Sequence, residues 1–342
     1  MSGMKRGCHA WKAALLVPIV CLAAKVASAK PPEVTFRIKK ATGFLPKGIS
    51  VSPDAKLAFV TNFGSKDHDN VRFYDTATLG EVARIDFAGN AVESMPSPDG
   101  KTLYVSNFTR DSVVFVDIAK RAVVREVKTG QHPKIVVVSY DGATLFTANW
   151  GTNDVTVVDT ASGQVSATLK VGKQPRGMVH SRDGKLYVAD FYDDRVHVFA
   201  KKVEGERTSY AEERAFPVCL RPRHLVLSPD AKVLYVSCLH GSEIHGMDVT
   251  LPVPTVKVRG QVGASPKSID VSTDGRYVYS ADFGATSISI MDTTDGSTRI
   301  VRIQGIKEPC GLAVLSPTEV AVTGWLDAHI YKLSLNAAGA KE

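Results

Sequence analysis

One sequence unit recurs seven times along the 342 residues, and it restricts what the chain can fold into. Each copy holds an apolar run, a turn built on Ser-x-Asp, and a second run ending in Asn or Asp plus an aromatic. A third run follows and usually ends in Asp. The turns fall at Ser52-Pro53-Asp54-Ala55, Ser97-Pro98-Asp99-Gly100, Ser139-Tyr140-Asp141-Gly142, Ser181-Arg182-Asp183-Gly184, Ser228-Pro229-Asp230-Ala231 and Ser272-Thr273-Asp274-Gly275, with a degenerate seventh at Ser316-Pro317-Thr318-Glu319. Successive copies start 45, 42, 42, 47, 44 and 44 residues apart. A unit of this length holds several short strands and cannot bury its faces alone, so neighbours must stack. The period predicts an all-β chain: a seven-bladed β-propeller of four-stranded antiparallel blades. The runs are β-branched and bounded by Gly, Asp, Asn and Pro, and no helical periodicity competes.

Strand counting predicts how the ring closes. Residues 134–138 and 223–227 exemplify the innermost strand A, 103–107 and 186–190 strand B, 113–117 and 155–159 strand C, and 123–127 and 165–171 strand D. The last repeat has A (311–315), B (319–323) and C (328–333) but no fourth strand. One spare run, about 34–40, precedes the first repeat. It is expected to complete blade 7 as strand D, which would remove two exposed sheet edges. The propeller then spans 30–335, and 336–342 is a short polar tail.

Residues 1–29 read as a secretion signal. Lys5, Arg6 and Lys12 form a basic start, 13–24 is apolar but short for a membrane span, and Ala27-Ser28-Ala29 is a small-x-small cleavage site. An uncleaved membrane anchor is the alternative, and lipidation at Cys21 is a weaker one. No other long apolar run exists, so the mature chain is expected to lack a transmembrane segment and to be periplasmic or secreted. Four of the 42 Lys/Arg lie in 1–29 and none of the 35 Asp/Glu does, so cleavage lowers the formal charge from +7 to +3. That mild balance argues against a nucleic-acid partner. Cys8 and Cys21 leave with the signal. Cys219, Cys238 and Cys310 remain, either as one disulfide and one free thiol or as three thiols. Antiparallel pairing of strands A and B in blade 5 sets Cys238 roughly opposite Arg221, with Cys219 two residues further. A Cys219–Cys238 disulfide with Cys310 free is therefore expected. No haem or metal Cys-x-x-Cys pattern occurs, and no cofactor is predicted.

The second strands read Phe59-Val60-Thr61-Asn62, Tyr104-Val105-Ser106-Asn107, Tyr187-Val188-Ala189-Asp190 and Tyr235-Val236-Ser237-Cys238. On these motifs the chain resembles the YVTN family of β-propellers over about 34–335. The resemblance implies the propeller fold. It says little about activity, since the family includes many extracytoplasmic proteins without assigned chemistry, and related propellers carry lactonase, lyase or haem-enzyme roles.

Propeller geometry brings the D–A and B–C loops together around the top mouth of the channel. The residue after the proline that precedes strand A is Lys47, Lys134, Arg176, Arg223 and Lys267 in five blades. Blade 2 departs with Glu93-Ser94 and blade 7 with Cys310. Five cations ringing one entrance would attract a carboxylate, a phosphate or an acidic protein patch. Descent from one repeat unit offers a purely structural explanation, in which Asp190, Asp282 or Glu308 neutralises a salt-bridged or solvated rim. The end of strand B adds Phe63, Phe108, Trp150, Phe191, Phe283 and Trp325, rings able to stack on ligands or cations. The Phe residues fit a core role between blades at least as well; for Trp150 and Trp325 both roles are open. Asp75, Asp117, Asp159, Asp248 and Asp292, which end strand C, are expected to cap the following turns. His68, His132, His224 and His240 are weak metal candidates without ligand-like spacing, Asp67-His68-Asp69 being the best local seed, and no metal site is predicted. Two insertions, 63–70 in blade 1 and 201–213 in blade 4, interrupt the pattern; the second reads as a solvated excursion.

No Ser-His-Asp order, nucleophile elbow or phosphate loop is recognisable. The sequence supports an exported, non-catalytic binding module whose top face recognises a small anionic molecule or an envelope protein, and a monomer is expected. The alternative is a lactonase- or lyase-type enzyme with a top-face active site. A third reading is an accessory of a periplasmic redox or metal system.

Overall fold

Apolar residues dominate both faces of each B strand, so each must be covered on two sides. A computed structural model describes residues 31–336, residue 206 excepted, and meets this demand by wrapping seven blades into a ring. Among the described residues, 28 strands form seven four-stranded antiparallel sheets, and no helix occurs. In six blades the strands lie in chain order from the channel outward. Seven clusters of buried apolar side chains sit between blades, one for each neighbouring pair. Between blades 3 and 4, for example, Phe146 and Val157 pack against Met178 and Leu186. The signal at 1–29 lies outside the described residues, as does 337–342 of the polar tail. No helix among the described residues is long and apolar enough to cross a membrane.

The seventh blade closes as the strand count requires. Glu33–Ala41 pairs antiparallel with the third strand of the last repeat, His329–Asn336, with Val34 opposite Leu335 and Ala41 opposite His329. Val34 also packs into the apolar cluster between blades 6 and 7.

The recurrent polar residues are structural. In the A–B turns the Ser52 hydroxyl donates to Asp54 (2.6 Å), whose carboxylate accepts the Lys56 amide; Ser97, Asp99 and Lys101 repeat the arrangement. At the ends of strand C, Asp75, Asp117, Asp159, Asp248 and Asp292 accept turn amides at 2.7–3.0 Å. The charged stretch of blade 4 is largely exposed to solvent and ordered. It lengthens the C–D ladder into the hairpin Arg195–Glu204 and Arg207–Pro217, with Glu204 opposite Arg207. The blade 1 insertion is pinned as well: Asp67 accepts the Gly89 amide (2.7 Å) and Asp69 pairs with Arg72 (2.7 Å).

The Cys219–Cys238 disulfide is present and Cys310 is a buried free thiol. The register differs by one residue from the sequence expectation: Pro222, not Arg221, stands opposite Cys238.

Two outcomes follow. Deleting residues 33–41 opens the edge of His329–Asn336, and should promote aggregation and lower the melting temperature by about 10 °C or more, at about 2–4 °C per kcal/mol for large domains. An unchanged melting curve would separate this strand from the ring. Thiol titration of the unreduced, unfolded chain lacking residues 1–29 should find one thiol, Cys310; three would exclude the disulfide.

Candidate functional site

Each strand A begins with an irregularity. Pro133 faces Asn149 and Ile135 faces Ala148, which leaves Lys134 as an extra residue. Arg176 and Lys267 are displaced in the same way in blades 4 and 6. In blades 1, 2, 5 and 7 two residues, Lys47-Gly48, Val92-Glu93, Arg223-His224 and Cys310-Gly311, stand against one on strand B. Such bulges re-aim side chains. Here they gather the cations into the channel.

The chemistry of strand B decides which kind of bulge forms. Where the residue before its terminal position is Thr61, Ser106, Ser237 or Thr323, the hydroxyl accepts the amide of Gly48, Glu93, His224 or Gly311 at 2.9–3.0 Å. Where that residue is Ala148, Ala189 or Ala281, no hydroxyl competes and the next ladder pair survives. The Thr61 hydroxyl also donates to the Val92 carbonyl (2.7 Å), and Ser106 donates to Lys134 (3.0 Å), joining each blade to the next.

The loops above are held just as regularly. Leu45, His132, Gln174, Arg221, Ser265 and Glu308, each preceding a proline, lie in the left-handed region at φ of +50° to +57°. Their carbonyls accept the amides of Phe63, Trp150, Phe191, Leu239, Phe283 and Trp325 at 3.0–3.3 Å. That pairing sets an aromatic beside the cation of the same blade in four cases, blades 1, 3, 4 and 6.

A single throat results, of about 30 Å³, walled by Lys47, Lys134, Arg176, Arg223 and Lys267 together with Glu93, His224 and Cys310. Its size suits a small anionic group or a water or two. The five cations are therefore half-buried inside the channel, not spread on an exposed rim. Their expected neutralising partners are engaged elsewhere. Asp190 pairs with His197 (2.7 Å) and accepts the Gly172 amide (2.9 Å); Asp282 accepts Ser287 and Ser289 hydroxyls at 2.9 and 2.6 Å. Among the described residues none of the five cations forms an ion pair, and Nε of both Arg176 and Arg223 is buried without a hydrogen-bond partner. Unsatisfied buried donors are uncommon and call for a reason.

The electrostatics reflect crowding. Burial first, and then the neighbouring cations, lowers Lys134 to about 5. Burial lowers Lys267 to about 7, Lys47 to about 8 and Arg176 to about 9. His224 falls to about 4 through burial and the Arg223 charge, so it is neutral at pH 7. Burial raises the Glu93 carboxyl against the pull of Lys47. Glu93 is the one carboxylate among the lining residues. The sequence reading set it in register with the cations, but Val92 holds that position and Glu93 is the second bulge residue. Its carboxylate occupies the space that a Cβ on Gly48 would need.

The aromatics stand over the lysines. The Lys134 ammonium lies 4.0 Å from the Phe108 ring centre and 5.1 Å from that of Trp150; Lys47 lies 5.0 Å from Phe63. Lys267 sits against Phe283 and 5.6 Å from Trp325, and Arg176 lies 4.8 Å from Phe191. Trp325 stacks on Phe63, Phe63 meets Phe108, and Phe108 stacks on His132 at 4.5 Å. Phe63, Phe108 and Phe283 are thus half-buried at the mouth rather than wedged in the core; Phe191 alone of the four Phe residues is buried. The histidines do not converge. His68 is exposed and bonded to the Lys66 carbonyl, His132 is stacked and His224 lines the throat. His240 joins no group of potential ligands. The one such group among the described residues is Cys219, Cys238 and His245, whose sulfurs are spent in the disulfide.

A family model described as "Lactonase, 7-bladed beta-propeller" matches residues 60–179 and 97–290. Antigen Lp49 of Leptospira interrogans is 32% identical over 113 residues, covering 29% of this chain and 23% of the antigen; the chain thus spans about a quarter of that relative's length. Among solved structures, hydrazine synthase of Kuenenia stuttgartiensis superposes with a TM-score of 0.68 at 18% identity, over 86% of this chain and 96% of the other. Selenomethionine-substituted virginiamycin B lyase from Staphylococcus aureus superposes with a TM-score of 0.71 at 16% identity, over 89% and 100%. At those identities the likeness is one of fold. Repeat, ring and the extent of the sequence match agree: the chain belongs to the seven-bladed β-propeller lactonase family.

Proposed function

We propose that this chain is an exported binding module whose channel throat holds a small anionic group. The observation that carries the reading is the cluster of Lys47, Lys134, Arg176, Arg223 and Lys267 around one small space with no ion pair among the described residues and Glu93 as its one carboxyl, and with two guanidinium N–H donors unused. An anion there would supply the missing acceptors, and its charge would relieve the mutual repulsion.

The sign of the pH dependence follows. The folded values of Lys47, Lys134 and Lys267 lie below the ordinary 10.5. Across that interval the unfolded chain binds more protons, so these lysines add stability as pH rises and withdraw it as pH falls from about 10 toward 5. A bound anion opposes this by favouring the protonated amines. Inorganic phosphate or acetate should therefore bind with net proton uptake at pH 7.5, visible as a calorimetric enthalpy that changes with buffer ionisation heat. Affinity should fall at least tenfold between pH 6 and 9 and weaken with added salt.

Ligand-free Lys134→Met and Lys267→Met should melt higher than wild type at pH 6 and bind the anion at least tenfold more weakly. Lower melting temperatures in both, with no salt-sensitive anion binding to wild type, would remove the small-anion reading and leave an acidic protein partner. Lactone turnover lost in Glu93→Gln would instead establish the enzymic alternative.

A further inference from the structure

The throat continues into a wider space on its lower side. This chamber has a volume of about 670 Å³, within the range of small-molecule sites. Its wall comes from the lower halves of the A strands of blades 1 to 5, including Ile49, Val51, Met95, Val137, Met178 and Leu225. Ile49, Val51 and Met95 are only partly buried, although they lie inside the ring. Apolar surface left facing an internal space of that size is surface available to a ligand. The chamber reaches down to Pro53, Pro98 and the exposed Tyr140, residues of the A–B turns, so it opens on the lower face.

Throat and chamber adjoin along the channel axis. Glu93, Ile135 and His224 line both. All five channel cations stand at the upper end, and none of them lines the chamber. The channel thus changes from cationic and narrow to apolar and wide within one strand length. Above the cations the Trp325, Phe63, Phe108 and His132 rings touch one another, so free volume for a tail lies below.

We infer that the ligand is an amphiphilic monocarboxylic acid, its carboxylate among Lys47, Lys134 and Lys267 and its aliphatic or aryl tail in the chamber. The inference rests on the anion-binding reading and adds the tail. The ligand enters from the lower face, head first, because the wide end leads to the charge. Glu93, at the junction, faces the head group. Burial raises its carboxyl while Lys47, Arg223, Lys134 and Arg176 pull it down.

Calorimetric titration of the purified protein with acetate, butanoate, hexanoate and octanoate tests the tail. Affinity should rise about three- to fourfold per added methylene. 1-Octanol and octyltrimethylammonium, which carry the tail without the anion, should bind at least tenfold more weakly than octanoate. Ser94→Phe, which narrows the chamber where Ser94 meets Ser50, should bring octanoate down to the acetate level without changing acetate. Met95→Gln, nearly equal in volume, should weaken octanoate about tenfold and serves where Ser94→Phe does not fold. Affinity independent of chain length would overturn the tail and leave the anion throat standing. Octanol as strong as octanoate would overturn the head group, and failure of every carboxylate to bind would overturn both readings.

Discussion

An amide released from a sheet ladder must find another acceptor, and here that need recurs at the start of four of the seven innermost strands. In six blades a left-handed residue precedes the proline that opens the strand, and the residue after that proline falls out of register. The bulge that absorbs the mismatch leaves an amide pointing across to strand B. Thr61, Ser106, Ser237 and Thr323 accept it, and two of these hydroxyls then donate to the following blade. In blade 1 the same local event satisfies a backbone group, links neighbouring blades and turns Lys47 toward the axis. The site is a by-product of how the strand begins.

A second constraint acts one layer above. The terminal residue of strand B must hold the D–A loop, or the cation of strand A loses its support. Asn107 does so by donating to the Ala88 carbonyl (2.7 Å), and Asp190 does so by accepting the Gly172 amide. In blade 5 the equivalent residue is Cys238, and the loop residue it holds, Cys219, stands three places before Pro222, just as Gly172 stands three before Pro175. The disulfide is thus a covalent version of a tether that the other blades make with hydrogen bonds. It supports Arg223 in a blade where strand B ends in neither Asn nor Asp.

Much of this was legible before any coordinates, because a repeat reports on itself. Seven turns at a fixed spacing gave the blade number, the missing fourth strand in the last repeat located the closing strand at 34–40, and five basic residues after five prolines marked one ring. The direction of those side chains was not legible, since a bulge leaves no mark in a repeat count. They therefore read as rim residues, although they are held inside. Glu93 was hidden for a related reason. Blade 2 has Ala91 in place of the proline, and without that marker its register slips by one. The signal that could have exposed the bulges was the Ser/Thr-or-Ala choice before the strand-B terminus, which sorts the blades as their registers do. Phe63 and Phe108 look like core because each follows an apolar strand; a loop amide bonded to a fixed carbonyl places them at the mouth, where Phe283 also lies, while Phe191 is buried.

A throat of crowded cations costs stability, and the fold tolerates it because the cost is local while the support is distributed. Seven apolar interfaces, one per blade pair, hold the ring together, and the closing strand contributes to one of them. No single interface depends on the state of the lysines. The charges can then remain short of partners without opening the structure, in contrast to a single-core domain, where repulsion at the centre would loosen the only core there is. A closed ring also fixes the distances among the cations, since each is carried on a different blade and cannot move away alone. Glu93 is the one lining carboxylate that answers them; further relief comes from loss of protons, which lowers the charge, or from an external anion. These two routes are alternatives at the same cluster, so under the proposed anion binding, proton uptake and affinity are linked.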